Sequence, residues 1–380
     1  MRQGPLTGLK IVEFAGIGPG PFAAMLLADL GADVVRVDRA GGGVRLFGDT
    51  RLDLLNRGKR SIAVDLKHPR GPEVVLALVE RAQVLIEGFR PGVAERLGIG
   101  PEQAHAHNPA LVYGRMTGWG QEGPLSRSAG HDINYIALAG ALGPIGRADG
   151  PPQVPVTFVG DFGGGALYLV VGVLAALREA ERTGRGQVVD AAIVDGAAHL
   201  TTMLWGLAAM GLWSDERGTN LLDTGAPFYD VYATSDGGHL SVGALEPQFY
   251  AELVRLLGLA EEFPHQHDVG RWPAMRARFA EVFAGGTVAH WSGVFNGTDA
   301  CVAPILPLSR APGDPHLAAR ATYENRDGVV QPAAAPRFSA TPTAPGRIPP
   351  APGQHSAGVV SDWSLPPDLL TSGAIADQPE

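Results

Sequence analysis

One cysteine, Cys301, stands in 380 residues. A single thiol excludes intrachain disulfides, cysteine-rich zinc sites, and chemistry that needs two thiols from one chain. Lysine is almost as scarce. Lys10, Lys59 and Lys67 are the whole supply, so a pyridoxal Schiff base in the glycine-rich middle of the chain has no lysine to form on. Positive charge is in deficit: 30 Lys and Arg against 39 Asp and Glu leave a formal net charge of −9, which argues against a nucleic-acid partner. No continuous apolar run reads as long enough to span a bilayer. MRQGPLTGLK lacks an apolar signal core and AIADQPE carries no retention or peroxisomal signal, so the expectation is a cytoplasmic protein without a membrane partner. His105-x-His107 and His265-x-His267 lack further ligands at zinc spacing, so no metal is expected.

What is present is a globular composition, 45% apolar with 52 glycines, and enough chain for a large and a smaller domain. Charge is uneven: residues 1–100 hold 14 Lys/Arg and 11 Asp/Glu, about +3, and the remaining 16 against 28 give −12. A basic front end suits a phosphorylated small molecule; a solvated surface accounts for it equally well.

LKIVEFA (9–15), ADVVRVD (32–38), SIAVDL (61–66), VLIEG (84–88) and LVYGRMTG (111–118) are short apolar runs. Helical spacing intervenes in PFAAMLLADLG (21–31) and GPEVVLALVERA (71–82), and GQVVDAAIVDG (186–196) adds a strand before another apolar helix. Strands alternating with helices predict a doubly wound, Rossmann-like α/β domain with a parallel sheet. Ligands of such sheets lie beyond the strands' carboxyl ends, where Arg39, Arg90 and Arg115 fall. GIGPGP (16–21) approaches a dinucleotide fingerprint but has Pro21 in place of its last glycine. The GGG (41–43) and NRGKR (56–60) stretches read either as a basic loop gripping phosphates or as a solvated loop.

A break at WSDERGTNLLDTGAP (213–227) precedes a hairpin pattern, FYDVYATSDGGHLSVGAL (228–245), with Asp236-Gly237 in the turn. Helical stretches and CVAPILPL (301–308), a final strand, follow. The expected division is a large domain over 1–212, a linker over 213–225, a small α+β domain over 226–325, and a Pro-rich segment over 326–380 returning toward the large domain. Cys301 and the apolar residues around Met203–Trp213 read as core.

AGHDINYIALAGALG (129–143) and VGDFGGG (159–165) concentrate the chemistry. They supply an imidazole, His131, and a carboxylate, Asp161, each beside glycines that allow close approach of a ligand to the backbone. An acid and a base on opposite sides of one carbon can move a proton across it. Taken singly, Asp161 also reads as a helix N-cap and His131 as a structural histidine.

Several blocks in order, LADLGADVVRVDR (27–39), RGKRSIAVDLK (57–67), TGWGQEGP (117–124), AGHDINY (129–135), DFGGG (161–165), GAPFYDVY (225–232), GALEPQFY (243–250) and TDACVAPIL (298–306), together resemble the α-methylacyl-CoA racemases of the class III CoA-transferase fold. The likeness runs from about Gly8 to about Leu308. It implies an interlocked homodimer, in which the large domain of one subunit faces the small domain of the other. It further implies that His131 and Asp161 are the acid/base pair and that Glu246 orients the histidine from the partner subunit. Arg39, the backbone of Ala63, Val64, Asp65 and Leu66, Arg90, and the stretch Ala129, Gly130, Asp132, Ile133 and Asn134 then correspond to coenzyme A and substrate contacts. Thr157 stands where the family commonly has an Asn that hydrogen-bonds the catalytic Asp; a Thr hydroxyl can donate one hydrogen bond with shorter reach.

The expected reaction interconverts (R)- and (S)-2-methylacyl-CoA through an enolate. Coenzyme A is then part of the substrate, and no separate cofactor is needed. Two alternatives stand beside it: a CoA-transferase with Asp161 as nucleophile, and a non-catalytic acyl-CoA-binding protein. His131 argues against the first, because transferases of this fold usually carry Tyr before the Asp at 132. The joint presence of His131, Asp161 and Glu246 argues against the second.

Overall fold

Parallel strands covered on both faces must be apolar along their length, not at every second residue. Lys10–Phe14 (β1) meets that condition, being buried at four of its five residues. In a computed structural model describing residues 3–42, 48–343 and 346–376, β1 lies inside a six-stranded parallel sheet. Its partners are Asp33–Arg39 (β2), Arg60–Val64 (β3), Val84–Glu87 (β4), Val112–Thr117 (β5) and Val188–Ala192 (β6). The strand order is β3-β2-β1-β4-β5-β6, and the register pairs Val12 with Val35 on one side and Leu85 on the other. The order reverses direction between β1 and β4, the switch point at which doubly wound sheets open a crevice beyond their carboxyl ends.

The crossovers are Pro19–Asp29 (α1), Gly71–Val79 (α2), the short Val93–Arg96 (α3) and Pro101–His107 (α4), Asp132–Leu138 (α5) and Tyr168–Thr183 (α6), and Ile193–Leu200 (α7) follows the last strand of the sheet. A ten-residue π-helix, Phe158–Leu167, runs directly into α6. The combined segment Phe158–Thr183 is, by length and composition, apolar enough to cross a membrane, against the expectation that no apolar run reaches that length. Here α6 buries Leu169, Val170, Val173 and Ala176, all of which join the apolar core beside Ile86 and Val112.

By contact division the chain falls into two units: Met1–Ala139, Val156–Leu200 and Ala321–Glu380, and Gly140–Pro155 with Thr201–Arg320. Residues 140–155 and 201–212 thus join the second unit, and side-chain bonds say why. Arg217 donates to the carbonyls of Gly143, Arg147 and Gly150, and Arg147 pairs with the buried Asp230 at 2.8 Å.

The second unit carries Thr202–Ala209 (α8), the hairpin Tyr229–Ala233 (β7) and His239–Gly243 (β8), and Pro247–Leu256 (α9), Trp272–Ala284 (α10) and Val288–Phe295 (α11). The hairpin closes as expected, Ala233 opposite His239 with Gly237 at φ 77°. The strand expected over 301–308 is shorter, Val302–Pro304 (β9), paired antiparallel with β8, and it is not the final one: Tyr323–Arg326 and Val329–Pro332 follow and pair antiparallel with each other. Cys301 is no core residue: it is exposed, at φ 53°. Nor is α8, none of whose residues is buried.

The returning C-terminal segment is pinned to the first unit by the NRGKR stretch. Arg57 bonds Asp29 at 2.6 Å, Gln331 at 3.0 Å and the Pro332 carbonyl at 2.9 Å. Arg60 pairs with Asp33 and with Asp362 of the helix Ser356–Asp362. Lys59 is fully buried, 2.7 Å from the equally buried Glu13, and also donates to Asn56 and the Pro21 carbonyl. These cations are spent on protein carboxylates and do not form a phosphate loop. Of the neighbouring glycine run, Gly43 lies outside the described residues.

Candidate active site

The loop carrying His131 is seated by one aromatic ring. Tyr135 of α5 stands edge-on to Trp119 at 4.8 Å, and its hydroxyl donates to the Gly130 carbonyl. A Cβ on Gly118 would lie 2.0 Å from this ring, and one on Gly130 2.7 Å from it. The glycines of TGWG and AGHD therefore make room for Tyr135. His131 then enters α5 with extended backbone, φ −135°. Its N–H donates to Asn134 Oδ1 at 3.1 Å, and it is exposed, as are Ala129, Ile133 and Asn134.

Asp161 sits in the first turn of the π-helix. The Phe162 N–H donates to the Thr157 carbonyl at 3.1 Å, an i to i+5 bond; π-helical turns of this kind recur at functional sites. The Asp161 N–H donates at 2.7 Å to Oδ1 of Asp132, whose side chain is buried. The carboxyl itself faces the turn before α1: a Cβ on Gly18 would lie 3.0 Å from Asp161 Oδ2. Burial pushes the Asp161 carboxyl up to about 6 and the Asp132 charge adds to the rise, while His131 opposes it. Imidazole and carboxyl are thus within electrostatic reach of each other, in one unit of the molecule. Burial, and next the Asp161 charge, likewise raise the Tyr135 phenol.

The glycines after Asp161 do not line ligand space. A Cβ on Gly164 would lie 2.6 Å from the Ala197 nitrogen, and one on Gly196 1.8 Å from the Gly164 carbonyl oxygen. They let the π-helix lie directly on α7. Gly160 meets the other neighbour, its Cβ position 2.3 Å from Asp132 Oδ1.

Beyond the strand ends, Arg39 and Arg90 are exposed, and neither has an ion-pair partner among the described residues. Arg115, grouped with them on sequence, is buried and committed to Glu87 at 2.9 Å and Glu95 at 2.7 Å. Ala63 and Val64 are buried in β3, and the C-terminal segment takes up backbone there: Ala376 N–H donates to the Ala63 carbonyl, and Asp65 N–H to that of Ala374. Asp65 and Leu66, which follow, are half-buried. Thr157 gives Asp161 no hydroxyl hydrogen bond; it contributes its carbonyl to Phe162. Glu246 belongs to the second unit, exposed, as the residue before α9. The Cys301 thiol of that unit is raised chiefly by burial and then by the charge of Glu246. Among the described residues no group of three or more His, Cys, Asp or Glu gathers to hold a metal.

Sequence reasoning passed over Gly18, Tyr135 and the side chain of Asp132. The only signal was their adjacency to residues already singled out.

A carboxyl raised by burial, within electrostatic reach of an imidazole at the carboxyl ends of a doubly wound sheet, describes a site for proton chemistry. The model of CoA-transferase family III matches residues 6–356. The chain belongs to that family. It is 46% identical to the α-methylacyl-CoA racemase of Mus musculus, over 95% of this chain and 93% of that protein. To the α-methylacyl-CoA racemase of Homo sapiens it is 45% identical over 95% and 94%. The crystal structure of a CAIB/BAIF family protein from Brucella suis superposes with a TM-score of 0.82 at 28% identity, covering 95% of this chain and all of that one.

Proposed function

We propose that this family III protein is an isomerase that interconverts (R)- and (S)-2-methylacyl-CoA thioesters. The observation that carries the reading is Asp161, a carboxyl raised to about 6 beside His131. A carboxyl raised in this way can hold a proton to deliver as well as accept one. The similarity to the two racemases supports the choice of thioester.

In one direction the His131 imidazole takes the α-proton, and the electron pair of the broken C–H bond moves into the thioester as an enolate. Asp161 then delivers its proton to the opposite face, leaving imidazolium and carboxylate; the reverse direction exchanges the roles. Backbone amides near Asp132, or at the start of the Asp161 helix, are the candidate donors to the enolate oxygen. One such donor is worth about 3–4 kcal/mol of barrier. Arg39 and Arg90 are free to meet the phosphates of coenzyme A, and Ala129, Gly130, Ile133 and Asn134 form the rim of the His131 loop.

The reading includes a homodimer in which Glu246 of a second copy orients His131. Its support is exposed apolar surface of a kind that marks association: Trp205 is 72% and Met210 64% exposed in the second unit, and Phe158 and Val171 are each 66% exposed in the first.

One pure enantiomer of a 2-methylacyl-CoA, incubated with the protein in D₂O and followed by NMR, tests the chemistry. Deuterium at the α-carbon with loss of optical purity is expected. Absence of exchange together with transfer of CoA to an added free acid would make Asp161 a nucleophile and overturn the reading.

A further inference from the structure

We propose that the Asp132 carboxylate is a positioning residue that helps Asp161 hold a proton, by setting its own carboxyl against the Asp161 peptide. This rests on the racemase reading and specifies how its acid is made.

Asp132 is 5% exposed. Oδ1 accepts the Asp161 N–H at 2.7 Å, while Oδ2 is buried with no hydrogen-bond partner among the described residues. The two carboxyls of the site are therefore unequal. A main-chain N–H donated to a carboxylate favours its ionised form. No hydrogen bond reaches the side chain of Asp161 among the described residues. Two neighbouring carboxyls out of water do not both ionise readily, so the Asp132 carboxyl makes ionisation of Asp161 harder. Gly160 makes the apposition possible, since any Cβ there would occupy the place of Asp132 Oδ1.

Several other charged or titratable groups lie around the π-helix. The elements packed on it are α1, α5, α6, α7, β5 and β6. From α1 the only charge is Asp29, held by Arg57. From α5 and its cap come His131, Asp132 and the Tyr135 phenol. From α7 come Asp195 and His199, whose imidazole shares a 2.6 Å hydrogen bond with the Tyr168 hydroxyl of α6. The remaining charges of α6, Arg178, Glu179, Glu181 and Arg182, lie in its last turns. From β5 comes Arg115, paired with Glu87 and Glu95, and from β6 Asp190, accepting the Gln121 N–H. Arg90, in the loop after β4, acts on Tyr135. Asp132 is the one carboxylate that the Asp161 peptide itself binds.

Asp132→Asn keeps an oxygen for the Asp161 N–H and removes the charge; Asp132→Ser, smaller, removes the charge without placing an amide in the space of Oδ2. Both are compared with the native protein by ¹³C NMR titration of the aspartate carboxyls without substrate, the Asp161 signal being assigned by its loss in Asp161→Asn. The expected result is a fall of the Asp161 midpoint by about one pH unit or more. Each pH unit costs about tenfold in protonated Asp161 at neutral pH, and the alkaline limb of kcat/KM for α-proton exchange moves to lower pH with it. An unmoved midpoint in a folded variant overturns the proposal and leaves native exchange intact. A lowered midpoint in a protein whose native form exchanges no α-proton overturns the racemase reading and leaves the hold of Asp132 on Asp161 standing.

Discussion

Replacing Gly160 by Ala tests the packing on which the site depends. Gly160 is buried, and the added methyl would lie 2.3 Å from Asp132 Oδ1, 2.8 Å from its carboxyl carbon and 2.9 Å from Ile136 Cγ2. The carboxylate cannot swing aside cheaply, because Oδ2 is already buried and Oδ1 holds the Asp161 N–H. Overpacking of this kind costs about 1–3 kcal/mol. Losing a hydrogen bond to a charged group costs about 1.5–3 kcal/mol. Against these, Ala over Gly in a helical backbone gains about 1 kcal/mol. The net expectation is a destabilisation of about 1.5–5 kcal/mol. Gly358→Ala is the control in the same unit, since a Cβ there meets nothing within 4 Å; it should be neutral or gain up to about 1 kcal/mol. Thermal unfolding by circular dichroism reads both, and α-proton exchange should fall in G160A by about a hundredfold, the cost of misplacing a catalytic group by about 1 Å. A G160A protein as stable and as active as the native one would refute the placement of Asp132 against the π-helix.

Three further outcomes are expected. Asp161→Asn should stabilise the protein at pH 8 and leave it unchanged at pH 4. The folded carboxyl titrates near 6 against an ordinary 3.8, so native stability falls as pH rises from about 4 through 6, by about 1–2 kcal/mol after allowance for solvent screening; a melting difference that does not grow with pH would contradict this. Lys59→Met should cost about 3–5 kcal/mol by stranding the Glu13 charge, and the double variant with Glu13→Gln should recover much of it, read by urea unfolding; equal losses in single and double variants would count against a coupled pair. Trp205→Glu should lower the sedimenting mass toward one chain, whereas an unchanged mass would remove α8 from the proposed dimer contact.

The alternation of strands and helices was legible because both faces of a parallel sheet are covered, so β1 to β6 read as short apolar runs between helical spacings. The hairpin at Asp236-Gly237 was legible because its turn is local. What failed was non-local. Nothing near Gly143 or Gly150 announces that the Arg217 guanidinium will bind their carbonyls, and 140–155 thereby joins the second unit. NRGKR looks like a basic loop until Asp29, Glu13 and Asp33 arrive from α1, β1 and β2 to neutralise it. The α8 apolar residues read as core because periodicity reports hydrophobicity and not what covers it.

The site shows the same division. His131 and Asp161 carried a chemical signature in sequence, but the reason for the glycines around them did not. Those of DFGGG were read as space for a ligand; in the fold Gly164 and Gly196 bring the π-helix against α7, and Gly160 admits the Asp132 carboxylate. A π-helix is rare as more than a single turn, and here it extends over ten residues. What holds it is the close contact with α7 that only glycine permits at Gly164 and Gly196, together with the Asp132 oxygen on the Asp161 N–H. An α-helical winding would turn each successive residue further round the axis, so Asp161 and the residues facing α7 could not keep their present directions together. The glycines therefore act on the site at one remove: they fix the winding that sets the Asp161 carboxyl against Gly18, the position from which the proposed proton transfer would draw.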